Sequence, residues 1–382
     1  MQTTMTLFGV PCSLYTAKAR SYLRKQGLPF EELSVGSSTF QQHVLPEIHR
    51  MIMPVFKTAQ GQIVQDGADI LRFCDVHCES KYPLLPEAPL LKAISFLFEL
   101  FGGEGLLRPA MHYRWSFDDI NLDFLRSEFR CIAPAEIKDA DWLPFFDFAS
   151  GRMRKAAKSF GVNEQSIAPI EASCDQFLAL FEAHLKEHPY LLGGRPTLGD
   201  YALMGPLYAH LYRDPKPGLL MRQKAPLVAR WVERMNTAEE CWVDYEKHST
   251  GLIAATELPD TLTALMQFIA EDFMPEMIAH IEFANQWLSE RPDLVAGTNG
   301  LKDPTQRYIG TAEFPWRGVT LKTSVLPYRF YLLQFLQDEY EQSNPEDKQG
   351  IEEHFARYGL LPLLTSKTAR RVTRVNHLEV WE

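Results

Sequence analysis

LFGVPCSLYTAKARSYLRKQGLPFEE, residues 7–32, decides how the chain is read. A short apolar strand enters a Pro-Cys-Ser turn, and the turn opens a helix with one apolar and one basic face. Two side chains able to act as nucleophiles, Cys12 and Ser13, stand side by side where strand hands over to helix. Any chemistry of this region turns on which of them faces a ligand.

Working outward, PFEELSV reads as a second strand and residues 38–48 as irregular or helical. MPVFKT and QIVQ flank AQG, the pattern of a hairpin. Asp66-Gly67 then opens a helix over ADILRFCDVHCE. The order β-α-β-α-β-β-α is that of a small α/β layer. KYPLLPEAP, 81–89, is a proline-rich linker, and beyond it the helical period dominates. Leu90–Phe101 is an amphipathic helix that GGEG (102–105) interrupts or ends, and helices are expected over 106–130, 141–160 and 169–187. In PTLGDYAL, Thr197 and Asp200 stand three apart before an apolar run, the spacing of a capping box that satisfies free N–H groups at a helix start. A helix follows over 226–236. An apolar stripe from Leu262 to Trp287 predicts one long helix with a kink at Pro275. RYIGTAEFPWRGVTLKT reads as a hairpin, and two further helices complete the tail. The expected fold is α/β plus all-α. Residues 1–82 form the first domain, 83–89 a linker, 90–250 an all-helical domain and 251–382 a mostly helical extension.

The composition sets bounds. A chain of 382 residues, 46% apolar and 23% charged, suits a globular protein of two or three domains. A net charge of −10 gives no general attraction to nucleic acid or anionic lipid. No apolar run reaches the length of a membrane span. MQTTMTLFGVP has neither a basic start nor the apolar core of an export signal, so a cytoplasmic location is expected. The six cysteines are sparse and irregular, which suits reduced thiols. Cys74 and Cys78 lie four apart without a His/Cys partner pair, so packing is expected there rather than a metal.

A small βαβαββα domain, a proline-rich linker and an all-helical domain together resemble the glutathione S-transferase superfamily. SLYTAKARSYLRKQGLPFE is similar to the family's first turn and helix. MPVF is similar to its short strand begun by a cis-proline, here Pro54. QIVQDGADILRFCD is similar to its strand and acidic helix cap, and PTLGDYAL to its second-domain capping box. The resemblance covers roughly residues 5–240. RPAMHYRWSF (108–117) and the tail also resemble a group of long bacterial members with a C-terminal extension. The resemblance implies a thioredoxin-like domain that binds glutathione as co-substrate, with no metal, followed by the family's helical domain. It also implies a homodimer.

By that resemblance Met53, Pro54, Asp66 and Gly67 form the glutathione seat. With Pro54 cis, the Met53 backbone turns toward a peptide-like ligand and can pair with its cysteinyl unit. The helix opening at Asp66-Gly67 offers free N–H groups to a carboxylate. Ser13 aligns with the catalytic serine or cysteine, whose hydroxyl would stabilise a bound thiolate beside the start of the helix. Cys12 is the alternative, and would form a mixed disulfide. The plain reading of both remains open: Cys12 as a small buried hydrophobe and Ser13 as a helix cap. Tyr15, Arg108, His112 and Trp115 are the candidate contacts for a small hydrophobic or acidic electrophile. The other reading of RPAMHYRW is a packed elbow buried against the tail.

Three positions depart from the family pattern. Leu14 stands in place of a proline, Ile52 in place of a basic residue, and Gly67 in place of the hydroxyl residue that holds the γ-glutamyl carboxylate. His49 and Arg50 are candidate substitutes for the missing cation. The tail has three possible resting places: the outer surface of the helical domain, a dimer partner, or the mouth of the cleft. Trp316, Arg317, Tyr328 and Arg329 are its candidate pocket residues. Two functions follow. One is a glutathione transferase or thiol-transferring enzyme; the other is a non-catalytic binding or assembly protein that has lost the glutathione site.

Overall fold

The computed structural model describes residues 4–134, 136–246 and 249–382. The first three residues of the N-terminal stretch read for an export signal lie outside the described residues. The N-terminal layer is built from β1 (Met5–Phe8), α1 (Leu14–Lys25), β2 (Phe30–Leu33), α2 (Ser38–His43), α3 (Leu45–Ile48), β3 (Val55–Lys57), β4 (Ile63–Gln65) and α4 (Gly67–His77). The sheet runs in the order β2-β1-β3-β4. β1 and β2 are parallel and joined by α1; β1–β3 and β3–β4 are antiparallel. This is the thioredoxin-like sheet that the sequence order implies.

Strand alternation places the core on both faces. Leu7 and Phe56 enter the main core with α1, α4 and the helical domain. Their neighbours Phe8 and Val55 point the other way, into a small cluster with Val35, Phe40, Val44 and Ile48.

The helical part begins with α5 (Pro89–Leu100), a π-helical turn over Phe101–Gly105 and α6 (Leu107–Trp115). The GGEG stretch is thus a widened turn within one bent rod. Gly102 allows it: a Cβ there would lie 2.7 Å from the Leu203 backbone nitrogen of the crossing helix. Then come α7 (Asp118–Arg130), α8 (Asp139–Ser159), α9 (Ile167–His184), α10 (Leu198–Pro206), α11 (Pro215–Lys224) and α12 (Pro226–Met235). The predicted capping box starts α10. Asp200, fully buried, accepts from the backbone N–H groups of Leu191 and Thr197, each at 2.9 Å. α10 packs against both α5 and α1, so the cap anchors the joint between the two halves.

The extension carries α13 (Asp260–Asp272), α14 (Met274–Ser289), the hairpin β5 (Gly310–Trp316) and β6 (Val319–Val325), α15 (Pro327–Gln342), α16 (Pro345–Arg357), α17 (Leu361–Thr365) and a hairpin of β7 (Val372–Val375) and β8 (Leu378–Trp381). Two features differ from the sequence reading. The single kinked helix over 262–288 is two helices, broken at Phe273, because Pro275 sits in the first turn of α14, where its missing N–H costs no bond. The last hairpin was not anticipated. Its turn puts Asn376 and His377 at φ 48° and 64°, a pair of positive φ values that Asn-Gly would have signalled and Asn-His does not. α15 and α16 lie on α5, so the extension packs on the helical domain as well as on the N-terminal layer.

Replacing Asp200 with Ala leaves two buried N–H groups unpaired and should cost about 2–4 kcal/mol. Urea unfolding monitored by circular dichroism should show the midpoint falling with an unchanged slope.

Candidate functional site

The site is centred on the start of α1, the loop before β3 and the start of α4. Ser13, in extended backbone conformation, caps α1: its hydroxyl oxygen accepts from the Thr16 N–H at 3.3 Å. Cys12 is 4% exposed, and burial pushes its thiol up to about 11 against the opposing pull of Arg114. At neutral pH it is a protonated, enclosed thiol, unlike the electropositive half-exposed setting of reactive cysteines. Its carbonyl accepts from Arg114 Nη1 at 2.8 Å, and Arg114 is itself held by Asp214 and the Ala209 carbonyl. The helical domain thereby fixes the turn through one guanidinium.

The Met53–Pro54 bond is cis. Among the described residues nothing hydrogen-bonds the Met53 backbone, which is half-buried. Asp66 caps α4 with φ 77° and accepts from the Ala68 N–H at 2.8 Å. Gly67 follows, its Cβ position 3.1 Å from the Tyr15 carbonyl and 3.4 Å from the Lys18 stem.

What faces Asp66 comes from the extension. The Tyr328 hydroxyl donates to Asp66 Oδ1 at 3.0 Å, and Arg374 Nη2 lies 3.4 Å from Oδ2. Arg374 also pairs with Asp69 and, at 3.3 Å, with Glu379, while Tyr331 donates to Asp69 at 2.7 Å. Burial by itself would raise the Asp66 carboxyl; Arg374, Lys18 and two hydrogen bonds hold it below its ordinary value. Arg50 donates to the His377 carbonyl in the last turn, and burial lowers its guanidinium's proton affinity. Arg307 approaches the same cluster, 3.8 Å from Glu379.

Beside this cluster lies a second buried set. The Tyr15 hydroxyl donates to Glu104 at 3.0 Å, and its ring meets Tyr328 edge-on at 6.5 Å. Arg329 bridges Glu104 (3.1 Å) and Glu276 (2.6 Å), and Arg108 reaches Glu276 at 2.6 Å. Their side chains are no more than 4% exposed.

The structure brings Pro54, Asp66 and Gly67 together, the Asp66 N–H donating to the Pro54 carbonyl at 3.1 Å and Gly67 lying beside the Tyr15 carbonyl, while Ser13 caps the helix that carries Tyr15 and Cys12 is enclosed. It does not bring Arg108, His112 and Trp115 into one cleft. Arg108 lies over Trp316 at 4.6 Å and is tied to Glu276 and the Phe160 carbonyl. His112 bonds Ser116 and Glu171. Trp115 shares a cluster with Met111, Phe129 and Phe146. Each is spent on packing, with Arg108 packed against the tail. Sequence reasoning did not find Glu104, Arg307, Arg374 and Glu379. Their partners lie across the fold in sequence, and no local pattern marks them.

Among the described residues no group of His, Cys, Asp and Glu is placed to hold a metal ion, and no helix is long and apolar enough to cross a membrane.

Residues 163–239 match the family model of the glutathione S-transferase C-terminal domain. No curated protein matches the chain in sequence. Solved structures resemble it at low identity. The β-etherase LigF from Sphingobium sp. strain SYK-6 is 18% identical, with 61% of this chain and 95% of that one covered and a TM-score of 0.42. The glutathione transferase GSTFuA3 from Phanerochaete chrysosporium is 14% identical, with 63% and 99% covered and a TM-score of 0.43. A glutathione S-transferase from Methylobacterium radiotolerans, solved with glutathione sulfonate, is 21% identical, with 65% and 99% covered and a TM-score of 0.36. Residues 163–239 thus match the family's C-terminal domain, and the four-stranded layer before them together with the surrounding helices gives the chain a glutathione S-transferase-like fold.

Two outcomes follow from this geometry. Iodoacetamide at neutral pH should alkylate exposed Cys131 and leave Cys12 unmodified, read by peptide mass spectrometry. Arg374→Ala leaves Asp66 without its cation and should cost about 3–5 kcal/mol at neutral pH, as breaking a buried pair does. Asp66 has a lowered carboxyl, so the stabilisation is present above the ordinary carboxylate range and is lost as pH falls through it. The difference between wild type and variant in urea unfolding should hold steady from pH 7 to about pH 5 and shrink at lower pH.

Proposed function

We propose that this chain is a glutathione S-transferase-fold binding or assembly protein whose glutathione seat is taken by its own extension. One observation carries the reading: Tyr328 and Arg374 occupy the Asp66 carboxylate, the group that would meet the γ-glutamyl ammonium of glutathione. A ligand ammonium would have to displace a guanidinium held by three carboxylates. Gly67 adds no hydroxyl to repay that cost, and an uncompensated buried pair is expensive to break. Burial of the Cys12 thiol supports the same reading.

A second reading, transfer of the glutathione thiolate to a small hydrophobic or acidic electrophile, has two supports. The Met53 backbone is free to pair with a peptide-like ligand, and Ser13 sits at the positive end of α1. In that reading Ser13 holds the thiolate, and the extension must part from Asp66 before glutathione enters. A cytosolic location and a homodimer accompany either reading by resemblance. With α15 and α16 lying on α5, a dimer would use another face.

Calorimetric titration of the reduced full-length protein with glutathione separates the two. The binding-protein reading expects no heat at about 5 mM ligand, a concentration that would reveal millimolar affinity. Saturable binding that weakens in Ser13→Ala would overturn it in favour of transfer.

A further inference from the structure

A groove of about 300 Å³ shares no lining residue with the Asp66 seat and is bounded by the β1–α1 turn, the end of β2, the residue after α7 and the stretch 208–213 that follows α10. Arg20 and Lys18 are two apart on α1 and so point to nearly opposite sides of the helix, Lys18 to Glu99 and Arg20 to the groove. The groove therefore shares no side chain with the seat.

Three guanidiniums line it: Arg20, Arg24 and Arg213. Arg20 is 2% exposed and donates its Nε to Glu32 at 2.6 Å, yet its Nη1 is buried with no partner. Arg213 pairs with Glu128 at 2.6 Å, and its Nε is likewise buried and unpaired. Arg24 binds only the neutral oxygens of Asn236. These three cations face two carboxylates, leaving one positive charge in excess. Beyond these cations and the polar Glu32 and Ser34, the lining is apolar or aromatic. Val10 and Leu33 contribute, and the guanidiniums of Arg20 and Arg213 lie 5.9 and 5.6 Å from the Tyr208 ring centre. Cys131, an exposed thiol, sits on the rim, held there by Ser34, whose hydroxyl donates to its carbonyl.

We propose that this groove binds a small organic acid. Its carboxylate accepts from Arg24, the guanidinium that no carboxylate balances, and its hydrocarbon or aryl part lies against Tyr208, Val10 and Leu33. Carboxylate recognition by guanidinium is geometrically favourable, since the planar fork matches two oxygens. The excess charge sets the preference for a monoanion, and the volume sets the size at about ten non-hydrogen atoms.

Benzoate is the probe, titrated calorimetrically into the full chain, with inorganic phosphate and the cation benzamidine as comparators. Benzoate should bind, benzamidine should not, and Arg24→Ala should weaken benzoate by about tenfold or more, the loss of one charged contact. Saturating benzoate should also slow iodoacetamide alkylation of Cys131 in the unmutated protein, a readout that needs no variant to fold. The proposal is overturned if benzoate gives no heat, if Arg24→Ala binds it equally well, if phosphate binds as tightly, or if Cys131 reacts at an unchanged rate.

Discussion

Arg329 is the interaction on which the rest of the site depends. It bridges two buried glutamates, Glu104 of the widened turn after α5 and Glu276 of α14, while Arg108 of α6 balances the second of them. Two cations and two anions thus share a space that water does not reach. None of the four is tolerable there without the others, because a lone buried charge loses its hydration with nothing in return. The consequence is architectural. α5, α6, α14 and α15 are held in one arrangement, and Tyr15 is drawn into it through its bond to Glu104. The extension is part of the folded core rather than an appendage, and Tyr328 follows Arg329's neighbouring position into the seat at Asp66.

That arrangement governs function through position. An acidic cap at the start of α4 is a cation site whatever fills it. Here the extension fills it with a guanidinium and a phenol from within the same chain. An intramolecular occupant has a large advantage over a dissolved one, since its ordering is already accounted for by folding. Arg374 and Arg50, brought by the last hairpin and the loop before β3, restore charge around Asp66 without a ligand. The Met53 backbone, beside the cis bond, stays unpaired among the described residues.

Much of the fold is legible residue by residue. The strand–turn–helix of 5–25, the Pro54 strand, the Asp66 cap and the Thr197–Asp200 box are all local patterns, and each stands where its spacing puts it. The β5–β6 hairpin was legible for the same reason. The long helix over 262–288 was misread as continuous because an apolar stripe keeps its period across a break, and Pro275 is equally compatible with a kink or a first turn. The electrophile cluster at 108–115 was legible as dense and polar, but helical spacing says only which residues share a face. It does not say that Glu276 and Asp214 wait to pair with Arg108 and Arg114, or that Glu171 hydrogen-bonds His112.

The sequence by itself determined the strand and helix order of the N-terminal layer and the capped core helix, because these depend on neighbours within a few positions, whereas the cis bond at Pro54 and the candidate seat residues rested on family resemblance. Only the tertiary structure decided what occupies the seat. Arg374 stands 308 positions from Asp66 and Tyr328 262 positions from it, so no periodicity, cap or turn signal connects them. Their pairing is set by burial: the folded chain leaves charges in low dielectric, and each finds its counterion in space rather than along the sequence.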